Sequence, residues 1–179
     1  MTKKEFAERQ RRTADMFARA HIVITPEERE RIEIADLGLG DYERTGLGIL
    51  VYVNTDRVCA KELTLFPGQT CPEHRHPTVA GRPGKEETFR CRWGSVYLYV
   101  PGAPAARPLG KPPAGRERTY TVWHEVVLKP GDQYTLAPDT LHWFQGGPEG
   151  AVVSEFSTRS TDEADIFTDP EIRRAPEVT

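Results

Sequence analysis

Three imidazoles and one carboxylate stand out as a set that can hold a metal ion. His74 and His76 are one residue apart, in Pro72-Glu73-His74-Arg75-His76. On an extended chain side chains alternate with period two, so both imidazoles point the same way and can reach one ion. Glu87 follows eleven residues later, inside Gly84-Lys85-Glu86-Glu87-Thr88-Phe89. His142 comes after Pro138-Asp139-Thr140-Leu141, where a strand should begin after a turn. Such a mixed nitrogen and oxygen set suits a divalent first-row metal such as Mn, Fe, Co, Ni or Zn. Octahedral geometry would leave two positions for substrate or water, which is how a catalytic site differs from a closed structural one. The His-x-His pair alone is weak, because surface histidine pairs arise by chance. The downstream glutamate and the histidine after a Pro-containing turn strengthen it. His21 and His124 lack that context. His21 lies at a helix end, where it can favour the dipole, and His124 alternates with apolar neighbours as a strand residue does.

The elements that must position this set read as two short helices, a run of strands and a polar tail. Thr2 and Glu5 have capping-box spacing, and Phe6, Ala7, Ala14, Phe17 and Ala18 can share one helix face. Thr25-Pro26-Glu27-Glu28 repeats the signal, with proline at the first helical position. From Gly48 the pattern becomes β. Strands are expected over 49–53, 58–66, 87–92, 95–100, 120–128, 133–136, 141–145 and 151–156, with Trp93-Gly94 as a hairpin turn. Short strands with Pro-Gly punctuation indicate a sandwich or barrel. The segment 101–118 holds five prolines and three glycines. It does not fit inside a sheet, and is either a functional or mobile loop or a solvated excursion. The tail from Ser160 is charged, with Ile166, Phe167 and Ile172 as its large apolar residues, and should pack over the barrel or a partner chain.

Composition narrows the class. The chain has 179 residues, enough for one domain with a sizeable core. Lys and Arg number 24 against 27 Asp and Glu, a formal charge of -3. That argues against a nucleic-acid or anionic-membrane binder, which needs a basic surplus. No apolar run is long enough to span a bilayer, and the start of the chain lacks a signal-peptide core. Three unpaired-looking cysteines, Cys59, Cys71 and Cys91, fit a reducing cytoplasm.

The pattern Gly68, five residues, His74-x-His76, then Glu87, six residues, Gly94 resembles the first cupin motif, with an insertion over Pro77 to Lys85. Gly131, Pro138 and His142 resemble the second, although the usual glycine after the proline is missing and the histidine comes one residue early. Within the cupins, the chain resembles the D-lyxose isomerase family of sugar isomerases over roughly residues 50 to 175. The residues that carry this are Pro72 to Pro77, Gly84 to Phe89, Trp93-Gly94-x-Val96-Tyr97-Leu98-Tyr99 and Ser154-Glu155-Phe156-Ser157. The resemblance implies an all-β fold, a small cupin-type β-barrel (jelly roll) with short N-terminal helices. The parts are a helical arm over 1–47, the barrel over 48–158 and a tail over 159–179. It also implies an aldose–ketose isomerase with one divalent ion, manganese in the first place, held by His74, His76, Glu87 and His142.

Isomerising D-lyxose to D-xylulose, or D-mannose to D-fructose, moves a proton between C2 and C1 through a metal-stabilised enediolate, so a base is needed. Glu155 on the last strand is the first candidate. Lys85 is the second polar candidate, as a cation beside the developing oxyanion. Burial is expected to raise the pKa of the carboxylate and lower that of the amine. Lys61 and Glu62 interrupt an apolar strand, so one must face inward, and Lys61 is read as touching substrate. Arg173 in the tail can close over the site. Trp143 and Phe144 can offer an apolar platform, although strand aromatics are more often core. Competing readings are another metal-dependent cupin enzyme, either a dioxygenase or a phosphosugar isomerase using Arg75, Arg82 or Arg90, and a sugar-binding cupin without catalysis. A homodimer, with the first helix at the interface, is the expected assembly.

Overall fold

A computed structural model describes residues 1–174. The expected capping boxes are both present. Helix α1, Lys3–Arg19, starts at Thr2, whose hydroxyl accepts from Glu5 N–H while the Glu5 carboxylate accepts from Thr2 N–H. Helix α2, Pro26–Glu30, is capped the same way by Thr25 and Glu28. The apolar face of α1 buries Ala14 and Phe17 against Ile34, Leu50, Phe66 and Val152, on the outside of the sheet. Full burial of Phe17 contributes about 1.5–3 kcal/mol.

The strands are β1 Glu33–Ala35, β2 Leu47–Asn54, β3 Cys59–Leu65, β4 Thr70–Arg75, β5 Glu87–Val100, β6 His124–Leu128, β7 Gln133–Leu136, β8 His142–Ser157 and β9 Ile166–Phe167. They run antiparallel in the order β1-β2-β3-β8-β4-β9, and β5 joins β8 to β6 and β7. The sheet curls on itself as a cupin-type half-barrel. Its inner face carries Ile49, Leu63, Phe89, Leu98, Phe144 and Val153 in one buried cluster.

Trp93-Gly94 is not a hairpin turn. β5 runs through it as one 14-residue strand with register shifts between Cys91 and Trp93 and between Gly94 and Val96. Gly94 has φ +71°, and a Cβ there would lie 2.0 Å from the Gly150 carbonyl oxygen. The glycine thus serves a bulge and a close approach to β8, not a reversal. The two strands expected over 141–145 and 151–156 are likewise one strand, β8. The strand expected over 120–128 begins only at His124. Upstream, the N–H groups of Thr121 (2.5 Å) and Val122 (2.9 Å) bond to the Glu73 carboxylate instead of a neighbouring strand.

The Pro-rich segment is a cover, not a free excursion. Beneath it Tyr99 stacks on Trp143, centroids 3.9 Å apart, and Tyr120 meets the same indole edge-on. Gly110 N–H donates to the Tyr99 hydroxyl, and Gln145 bonds both the N–H and the carbonyl of Lys111. The segment shields aromatic rings that the outer face of the sheet would otherwise expose.

Candidate metal and substrate site

Four side chains reach the same end of the barrel because their positions are strand ends. His74 and His142 are opposite each other in the β4–β8 register. His76 lies one residue past β4, and Glu87 opens β5. Ligand-type atoms of His74, His76 and His142 all lie within 4.8 Å of one another. Glu87 Oε1 is 3.0 Å from His76 Nε2 and 3.1 Å from His142 Nε2.

The outer nitrogens of the rings are all engaged. His74 Nδ1 is 2.8 Å from the Pro72 carbonyl, His142 Nδ1 is 2.9 Å from the Thr140 carbonyl, and His76 Nδ1 is 2.6 Å from Asp165 Oδ1. Each acceptor calls for a proton on Nδ1, which in a neutral ring leaves the lone pair on Nε2; His76 Nε2 meets Glu87 Oε1 at 3.0 Å. His142 Nε2 is buried without a hydrogen-bond partner among the described residues; Glu87 is near it but off the hydrogen-bond direction. A buried orphan nitrogen is costly unless something else occupies its lone pair.

Charge points the same way. Lys85 Nζ is 2.8 Å from Glu87 Oε2, 3.0 Å from Glu155 Oε1 and 3.3 Å from Asp162 Oδ1. Lys61 Nζ is 2.5 Å from Asp162 Oδ2, 2.8 Å from Ser160 Oγ and 3.6 Å from Glu155 Oε1. With Asp165, four carboxylates face two ammoniums, while Arg174 is engaged by Glu33. The pocket is left net negative, a charge that a bound cation would offset. Burial opposes charge on His76, but Glu87 and Asp165 outweigh it and lift the imidazole to about 9. For Glu87, too, burial is outweighed, by Lys85 and His76, and the carboxyl is held well below its usual range. His74 is driven down by burial and by its two neighbouring imidazoles. Three converging nitrogens, an orphaned lone pair and a net negative pocket fit a divalent metal.

The amine does not behave as expected from burial alone. Desolvation lowers the Lys85 pKa, but Glu155, Glu87 and Asp162 outweigh it and hold it well above the ordinary lysine value. Lys85 enters the site because Gly84 lies against the chain at His76. A Cβ on Gly84 would sit 1.8 Å from the His76 carbonyl oxygen, so the insertion can close only on a glycine.

The cavity between these groups is about 40 Å³, lined on one side by the barrel and on the other by Asp162, Asp165, Phe167 and Arg174 of the tail. A larger cleft of about 720 Å³ lies outside, between 79–86 and 158–163, and includes none of the histidines. His74, His76 and Glu87 line the small cavity, not the cleft.

A sequence profile for D-lyxose isomerase matches residues 108–179. The D-lyxose/D-mannose isomerase of Thermosediminibacter oceani is 64% identical over 178 residues, 99% of this chain and 98% of that protein. The D-lyxose ketol-isomerase of Cohnella laeviribosi is 61% identical over 172 residues, 96% of this chain and 94% of that protein. The chain belongs to the D-lyxose isomerase family. Among solved structures, the L-ribose isomerase of Cellulomonas parahominis has the same fold, with a TM-score of 0.81 at 20% identity over 100% of this chain and 98% of that one.

Within this D-lyxose isomerase family member, the residues singled out in the sequence divide into those that meet and those that do not. His74, His76, Glu87, Lys85, Lys61 and Glu155 line the cavity, and His142 packs against His74 at a centroid distance of 4.3 Å. Arg173 does not reach it. Its side chain is exposed beside Gly38, its guanidinium meets the Pro170 and Ile172 carbonyls and no acid among the described residues, and the next residue, Arg174, turns inward instead. The tail has no regular period there, so sequence position did not predict direction. Phe144 lines the cavity, while Trp143 faces the opposite side, under the Pro-rich cover. Arg75 pairs with Asp139 at the surface, Arg82 borders the outer cleft and Arg90 bonds Gln133; none of the three lines the inner cavity. The phosphosugar reading loses its anchors. Sequence reasoning missed Asp162, Asp165 and Arg174. The signal available for them was two acids three residues apart beside the apolar pair Ile166-Phe167.

Proposed function

We propose that this protein is a metal-dependent aldose–ketose isomerase acting on D-lyxose and D-xylulose, and also on D-mannose and D-fructose. His74, His76, Glu87 and His142 would hold the ion, with manganese the first choice. The observation that carries the reading is the convergence of three imidazoles beside Glu87, their ligand-type nitrogens within 4.8 Å of one another, with His142 Nε2 buried without a hydrogen-bond partner among the described residues. The names of the relatives supply the substrates to test.

When bound, the ion supplies positive charge to the substrate's carbonyl oxygen and neighbouring hydroxyl, which makes the C2 proton more acidic. Glu155 is the group read as the base: it takes the proton from C2 and returns it to C1, while the hydroxyl proton passes between O2 and O1. C2 is oxidised and C1 reduced within one molecule, so no external redox partner is needed. Lys85, held charged, donates to Glu155 Oε1 at 3.0 Å and aims that carboxylate. Lys61 faces the same cavity from β3, opposite Glu155 in the strand register, and is read as a substrate contact. Phe89 and Phe144 keep the floor apolar, which limits water access.

The expected assembly is a homodimer, supported by exposed apolar side chains Tyr52 and Val53 on β2, Val58 in the β2–β3 turn and Phe156 on β8. No helix is long and apolar enough to cross a membrane, among the described residues. The reading retains a cytoplasmic location and the division into arm, barrel and tail.

The test strips the protein with EDTA, restores single metals and measures ketose formation from D-lyxose and D-mannose. Activity should vanish on stripping and return most with Mn²⁺. Ketose formation by no metal form would remove the isomerase reading. Glu155→Gln should retain metal but lose on the order of 10²–10⁴ in kcat; a loss under tenfold would clear Glu155 of the role of base.

A further inference from the structure

We propose that Asp165 is a positioning residue for the metal site, delivered from the C-terminal segment to fix the His76 imidazole. The proposal rests on the metal reading above. Asp165 Oδ1 is 2.6 Å from His76 Nδ1, and both side chains are nearly buried. The pairing is built by strand register. β9 pairs with β4 through Ile166 opposite Arg75 and Phe167 opposite His74. One step further along the same ladder sets Asp165 against His76.

Two further features tie this segment to the histidines. The Phe167 ring stacks on His74, with centroids 5.3 Å apart and planes 30° apart. Thr168 N–H donates to the Glu73 carbonyl, and its hydroxyl donates to the Glu73 carboxylate at 2.7 Å. His74 and His142 are oriented by carbonyls two residues upstream in their own segments. His76 has left its strand, and its outer nitrogen is met instead from 89 residues away. A carboxylate on the outer nitrogen fixes the tautomer and raises the basicity of the inner one, and losing such a partner typically costs about 10–100-fold in metal affinity.

The experiment measures Mn²⁺ and Co²⁺ affinity by calorimetry, without sugar, on the full chain, with the Co²⁺ absorption spectrum as a second readout. Asp165→Ala should weaken binding by about 10–100-fold and alter the Co²⁺ spectrum. Asp165→Asn, which keeps an acceptor oxygen but no charge, should fall between Ala and the parent. Thr168→Val loosens the same segment without touching His76, and should cost far less metal affinity than Asp165→Ala. Parental affinity in Asp165→Ala or Asp165→Asn overturns the proposal. So does an equal loss in Thr168→Val, which would assign the effect to docking of the segment. Should Asp165→Ala fail to fold, Asp165→Asn decides alone. A parent protein that binds neither metal overturns the metal reading itself, a distinguishable result.

Discussion

Lys61 and Glu62 are neighbours on β3 that face opposite ways, and their fates differ for that reason. Lys61 meets carboxylates inside the barrel. Glu62 is buried on the outer face, and Ser154 Oγ is 2.9 Å from both its oxygens. Burial dominates and pushes the Glu62 carboxyl from 4.5 up to about 7, with Ser154 and Arg92 only partly offsetting it. The folded protein therefore holds this proton more tightly than the unfolded chain does. Over the window from 4.5 to about 7 the residue makes stability fall as pH rises. Glu62→Gln removes that dependence while leaving an acceptor for Ser154. The variant should melt a few degrees above the parent at pH 8, about 2–4 °C per kcal/mol for a chain this size. The gap should close below the unfolded carboxyl value. Melting curves that stay parallel across this range would refute the assignment. The sequence showed that one of the pair must face inward, and only the register of β3 with β8 told which.

At the scale of elements, β5 and β8 are the seam of the barrel. They pair over eleven positions from Glu87–Ser157 to Tyr99–Trp143. Both were legible as strands, and both read as broken where glycine interrupts them. Positive φ serves a turn and a bulge equally, so Trp93-Gly94 alone does not distinguish them. The seam depends on the bulge glycine. Gly94→Ala adds left-handed strain and drives a methyl into the Gly150 carbonyl. The expected cost is about 3 kcal/mol or more, a fall in Tm of roughly 6–12 °C. Scanning calorimetry checks it, and a fall below about 2 °C would mean that the strands can part there freely.

At the scale of the whole molecule, the site is closed on one side by strands and on the other by the tail. The space inside, about 40 Å³, suits one or two waters, less than a pentose needs. The strand side is held by long β-ladders. The tail side is tied by the two-residue β9 and by side-chain contacts of Asp162, Asp165 and Thr168. Local opening is easiest where fewest ladder bonds must break. Amide exchange in 162–168 should be orders of magnitude faster than in β5 and β8, and should slow when metal and sugar are both present. Protection of 162–168 equal to that of β8 would show that sugar enters by another route.

The sequence by itself determined what is local or periodic. Capping residues set both helix starts, alternation set the inward and outward faces of the strands, and His-x-His spacing aimed two imidazoles one way. The insertion glycine and lysine were visible as residues, and so was the all-β class. Tertiary structure decided what depends on chains meeting from far apart. It chose Arg174 over Arg173, brought Asp162 and Asp165 to the lysines and to His76, and raised Lys85 where burial alone would lower it. The physical reason is that a desolvated charge takes its energy from its nearest neighbours. Glu87 is near both Lys85 and His76 in sequence, but the other neighbours, Glu155 and Asp162 for Lys85 and Asp165 for His76, lie 70 to 89 residues away along the chain.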